Sequence, residues 1–190
     1  MPAPLPRQSA AGNRNLWGSA ADTEAYTYVR RQPAFVESIE PRIRPLVLYL
    51  VDQLGLITYS SCEGHWPAAG APFRAAHVGI LPESLDEGGG GAPPLQQRLE
   101  WLVVAASQTM SELEHPSLGV RTVVDELETE LGLRPCIDVW FLPIDTSLDS
   151  YFRELPALIE RFRCQLERLR CCSGAPVEAG CADGRRRSGE

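Results

Sequence analysis

The chain has 190 residues, 44% hydrophobic and 23% charged, which is length enough for one domain whose core needs no staple. A net charge of −7 and a pI near 5.1 argue against a general binder of nucleic acid or anionic membrane, because phosphate contacts need a basic face. All 18 basic residues are arginine, which excludes Schiff-base lysine chemistry and the lysine of a phosphate-binding loop.

The start of the chain, Met1 to Ala11, is rich in Pro and Ala and has no continuous apolar run of the kind a signal peptide carries. No stretch approaches the ~18–20 apolar residues of a membrane span. The expectation is a cytoplasmic protein with its six cysteines reduced. Cys164, Cys171, Cys172 and Cys181 do not repeat a Cys-x-x-Cys zinc spacing.

Residues 1–22 are small, polar and proline-bearing, and read as a flexible lead-in to one globular domain over 23–170. Phe35, Ile39, Ile43, Leu46, Val47, Leu50, Val51 and Leu54 follow the 3.6-residue helical period, with Pro41 and Pro45 marking the start and Gly55 the end. Leu56 to Ser60 and Ala76 to Leu81 read as two strands of a hairpin. Asp86 to Pro94, with its run of glycines, reads as a connector.

Leu95, Leu99, Leu102, Val103, Ala106, Met110 and Leu113 mark a second long helix. Val120, Val123, Val124, Leu127 and Leu131 mark a third, closed by Gly132. Pro135 to Ile144 reads as a central strand, since apolar residues occupy both faces. The last helix spans Leu148 to Leu169, bent or restarted at Pro156, and 171–190 reads as a disordered tail. The order predicts an α+β (or α/β) two-layer sandwich: a small mixed sheet of about three or more strands covered by four main helices. The G-x-G-x-x-G of a dinucleotide site is missing.

Chemistry concentrates in Ser60-Ser61-Cys62-Glu63-Gly64-His65, where a β-branched run breaks into small polar residues. Two of the three histidines, His65 and His77, fall beside it. Cys62, His65 and His77 then form a candidate metal site, because three protein ligands with one open position describe a catalytic zinc or iron centre. Glu63 would serve as base, or Asp138 as a carboxylate ligand.

A thiol mechanism uses the same residues, with Cys62 as nucleophile and His65 or His77 as base. Ser60 and Ser61 are hydrogen-bond donors in either scheme. Trp66 offers an aromatic wall, Arg74 a cation for an anionic group, and Asp138 a further substrate contact. The competing structural reading makes Cys62 a small buried residue, His65 and His77 partners of local backbone, and Gly64 a turn.

Ser60-Ser61-Cys62-Glu63-Gly64 after a strand resembles a motif of the wybutosine-synthesis tRNA methyltransferase family, in which arginine typically stands where His65 stands here. The resemblance implies an RNA-modifying enzyme as an alternative and covers only this step. The leading expectation is a small cytoplasmic enzyme acting on a small-molecule substrate through the Cys/His centre. The other alternative is a non-catalytic accessory or regulatory binding protein, with a protein partner or as a homodimer.

Overall fold

A computed structural model of the chain describes residues 33–67, 72–84, 93–114, 116–129 and 132–173. The expected lead-in, the run of glycines in the connector, His115, and the tail beyond residue 173 lie outside them.

The apolar stripe predicted between Phe35 and Leu54 is buried throughout, but it is not one regular helix. It is divided into α1 (Pro33–Ser38), α2 (Arg44–Leu48) and a π-helical turn, Tyr49–Gln53. Pro41 lies in the break between α1 and α2, where the backbone needs no amide donor, and Pro45 sits in the first turn of α2. The wider turn closes with Leu54 N–H donating to Tyr49 C=O at 3.2 Å.

Four strands follow in a single sheet among the described residues: β1 (Leu56–Cys62), β2 (Ala76–Ser84), β3 (Leu118–Thr129) and β4 (Gly132–Pro143). Two long helices, α3 (Leu95–Ser111) and α4 (Leu148–Cys172), complete the described fold. The sheet order is β1-β2-β4-β3 and every pairing is antiparallel. The protein is thus an α+β two-layer sandwich, with four helices among the described residues and an antiparallel rather than mixed sheet.

The third predicted helix is strand β3. Val120, Thr122 and Val124 share one face while Arg121, Val123 and Asp125 share the other, so the segment also carries the two-residue period. β-branched side chains lose rotamers in a helix and pack well on a pleated surface. The adjacent strand β4 then decides the outcome by supplying a ladder from Leu118↔Pro143 to Thr129↔Gly132.

α4 is continuous through Pro156 and reaches Cys172, so two residues assigned to the tail form its last turn. Ser147 caps it by accepting from Ser150 N–H at 3.3 Å. Tyr151, Leu155, Leu158, Ile159, Phe162 and Leu166 form its buried stripe. Phe162 packs edge-on against Phe141 of β4 with ring centroids 5.8 Å apart, which identifies the helix-covered face of the sheet. Val78, Ile80 and Val139 lie on that face with Phe141. The opposite face carries Ser60, Cys62, His77, Gly79, Asp138 and Trp140. Among the described residues, no helix is long and apolar enough to cross a membrane.

Candidate metal centre

β1 ends at Cys62, and two reciprocal hydrogen bonds tie that end to the break between α1 and α2. Glu63 N–H donates to Glu40 Oε2 at 2.6 Å, and Arg42 N–H donates to Glu63 Oε2 at 2.8 Å. Gly64 then takes φ +84°, a left-handed conformation open to glycine at little cost. A Cβ there would meet Ala76 N, Arg74 O and the Phe152 ring at 3.3–3.4 Å, so the turn is also closely packed. His65 and Arg74 next exchange backbone hydrogen bonds of 2.9 and 3.3 Å.

Aromatic rings fix the far side of this loop. Trp66 stacks on Phe152 at a centroid distance of 5.0 Å, and Phe73 meets Tyr151 edge-on at 5.2 Å. The Tyr151 hydroxyl accepts from Ala76 N–H at 2.8 Å and donates to Phe141 C=O at 2.9 Å, joining β2, β4 and α4 behind the site.

The result is a convergence of three ligand types. His65 Nε2 lies 2.8 Å from Glu40 Oε1. One ligand atom each of Glu40, Cys62 and His65 lies within 4.8 Å of the other two. Cys62 is buried, Glu40 half-buried and His65 exposed, so the sulfur forms the floor and the imidazole the rim. These side chains can hold a metal ion. With bonds of about 2.0–2.1 Å to nitrogen and oxygen in a tetrahedron, the N···O edge is about 3.3 Å, so the present contact needs to open by about half an ångström.

The third member of this group is Glu40 and not His77. His77 does face Cys62 across the β1–β2 ladder, as the hairpin reading requires. Its Nε2 lies 3.4 Å from Ser60 Oγ, and its ring stacks on Trp140 at a centroid distance of 4.4 Å. Burial keeps the His77 pKa below its ordinary value, with the nearby Asp138 carboxylate opposing. For Cys62, burial pushes the thiol up to about 11; a backbone hydrogen bond from Gly64 acts in the opposite direction.

The other predicted site residues are distributed unevenly. Ser60 shares the face of Cys62, but Ser61 lies opposite Val78 on the helix-covered face. Ser61 Oγ is buried and has no hydrogen-bond partner among the described residues. Glu63 is committed to the Arg42 N–H, so it braces the centre. Arg74 pairs with His65 at the rim, and Trp66 is half exposed beside it.

Asp138 is outside the group: it accepts from Tyr59 OH at 2.5 Å, and the Tyr59 phenol is held well above its ordinary range, first by burial and then by this carboxylate. Neither Glu40 nor Tyr59 stood out in the sequence. The only local sign of Glu40 is an acidic residue directly before the helix-breaking Pro41. No family model matches the chain, and no curated protein or solved structure matches it.

Proposed function

We propose that the chain is a small cytoplasmic metal-dependent enzyme acting on a small-molecule substrate, with a zinc ion at Glu40, Cys62 and His65. The observation that carries this reading is the convergence of carboxylate, thiol and imidazole at one strand end. Three protein ligands, the number found among the described residues, would leave a position for water or substrate, the arrangement of catalytic rather than structural zinc. Such an ion polarises a carbonyl or lowers the pKa of bound water.

The chain's own residues have separate tasks in this scheme. Cys62 gives up its proton on metal binding, since a coordinating thiol is deprotonated outright. Glu63 and Arg42 hold the Glu40 segment against β1. Arg74, at the rim beside His65, is the cation for an anionic substrate group.

Metal analysis and cobalt titration of the full chain test the proposal. The wild type is expected to bind about one equivalent, with a thiolate-to-cobalt charge-transfer band, while Cys62→Ala, His65→Ala and Glu40→Gln lose affinity by at least about 10–100-fold. His77→Gln is expected to keep the metal. Equal, near-zero metal in all proteins removes the reading; loss in His77→Gln with retention in Glu40→Gln restores the ligand set expected from sequence.

A further inference from the structure

α3 and α4 pack against each other, and near their C-terminal ends they leave an open cavity of about 350 Å3. Gln108 and Glu112 of α3 line it, with Gln165, Arg168, Leu169 and Cys172 of α4. Glu112 is held by three donors: Gln165 Nε2 at 2.6 Å, Arg168 Nη1 at 3.1 Å and Arg161 Nη1 at 3.6 Å. Two guanidinium groups against one carboxylate leave an excess of positive charge here, in a chain whose net charge is −7. Gln165 is only 3% exposed. Its amide nitrogen is taken by Glu112, and its carbonyl oxygen accepts from none of the described residues. A buried polar atom left open on a cavity is one that a ligand N–H can satisfy.

The cavity also takes in one of two adjacent thiols. Cys171 and Cys172 are both free and exposed, but only Cys172 lines the cavity. Arg168 and Cys172 are four residues apart on α4, so they lie on the same side of it. Cys171 is turned about 100° from Cys172 round the helix. It is directed toward Tyr49, whose phenol it influences.

We infer that this cavity binds a low-molecular-weight disulfide bearing carboxylate and amide groups, and that Cys172 is the residue the disulfide modifies. The carboxylate pairs with the N–H groups of Arg168 that Glu112 does not use, and an amide N–H donates to Gln165 Oε1. That places a ligand sulfur at the Cys172 thiol. The Cys172 thiolate attacks this sulfur, and the ligand S–S bond breaks as the new S–S bond to Cys172 Sγ forms. The proton lost by Cys172 is balanced by the one that the departing half takes up as it leaves as a free thiol. Cys172 is oxidised and one ligand sulfur is reduced, so no further oxidant takes part.

Timed exposure of the reduced full chain to glutathione disulfide, read by peptide fragmentation in a mass spectrometer, tests this. Cys172 is expected to take up the glutathionyl group about tenfold faster than Cys171, the effect of one aligned charge-assisted contact. With uncharged 2-hydroxyethyl disulfide the two cysteines are expected to react within about twofold of each other, because exposure then decides. The Arg168 side chain is 66% exposed, so Arg168→Gln keeps the fold. This variant is expected to lower the glutathione ratio to about two and to leave the ratio for the neutral reagent unchanged. Equal modification of Cys171 and Cys172 by glutathione disulfide overturns the proposal. So does a preference for Cys172 that is as large with the neutral reagent, or one that survives Arg168→Gln.

Discussion

β1 pairs with β2 through two register irregularities within 7 residues, whereas β3 pairs with β4 residue for residue across 12. The regular ladder keeps strict alternation and makes no unusual demand on any side chain. In the irregular one, Thr58 stands opposite Ile80 and Ser60 opposite Gly79, so Tyr59 is an extra residue on its strand. The extra residue shifts the phase of the alternation. It brings Ser60 and Cys62 to the face of His77 and lets the Tyr59 ring lie over Gly79 to reach Asp138. Polar chemistry has collected where the ladder departs from ideal pairing.

A glycine in each hairpin gives the sharpest test of that contrast. A Cβ on Gly79 would stand 2.4 and 2.6 Å from Tyr59 ring atoms and 2.9 Å from Asp138 Oδ1. Gly79→Ala must therefore displace the ring and break the Tyr59–Asp138 hydrogen bond, at a cost of about 3 kcal/mol or more. The nearest atoms to a Cβ on Gly119 of β3 belong to the exposed Ile144 side chain, at 3.2 and 3.4 Å, with Met110 beyond at 3.8 Å. Ile144 can swing aside, so Gly119→Ala is expected to stay within about 1 kcal/mol of wild type. Denaturant unfolding of the two variants measures both; similar costs would mean that the two hairpins do not differ in the way described.

Removing only the Tyr59 hydroxyl is expected to have a smaller effect. Tyr59→Phe should cost about 2 kcal/mol, the range for a hydrogen bond to a charged acceptor. It should also change the alkaline limb of the stability curve. The folded protein holds the phenol neutral above its unfolded value of about 10, so this stability is complete below that pH and is lost as pH rises beyond it. Tyr49 and Tyr151, each pushed up to about 12, contribute in the same direction. The variant is therefore expected to flatten the alkaline loss without abolishing it. An unchanged slope would show that Tyr59 is not buried against Asp138.

The smallest expected effect lies on the acid side. Burial lowers the His77 pKa, so its contribution is complete above the unfolded value of about 6.5 and is lost as pH falls below it. Replacing His77 with glutamine should flatten stability between neutral pH and about 5 relative to wild type. Thermal midpoints across that window test it, and parallel curves would contradict the burial assigned to this ring.

The sequence by itself determined most of the buried stripes of the helical segments, because an amphipathic period survives whether the helix is regular, broken at Pro41 or widened into a π-helical turn; in α3 the stripe is turned toward Trp101 and Ala105, and Val103, assigned to it from sequence, is exposed. It also located β1, β2, β4 and the Cys62-Glu63-Gly64-His65 strand end, since breaks in β-branched runs are local signals. Only the tertiary structure decided that Val120 to Leu127 is a strand. That apolar pattern fits both periods, and a neighbouring ladder had to choose between them. It likewise brought Glu40 to Cys62 and turned Ser61 away, because a ligand from another element and the phase of a bulged strand depend on contacts between segments distant in the chain.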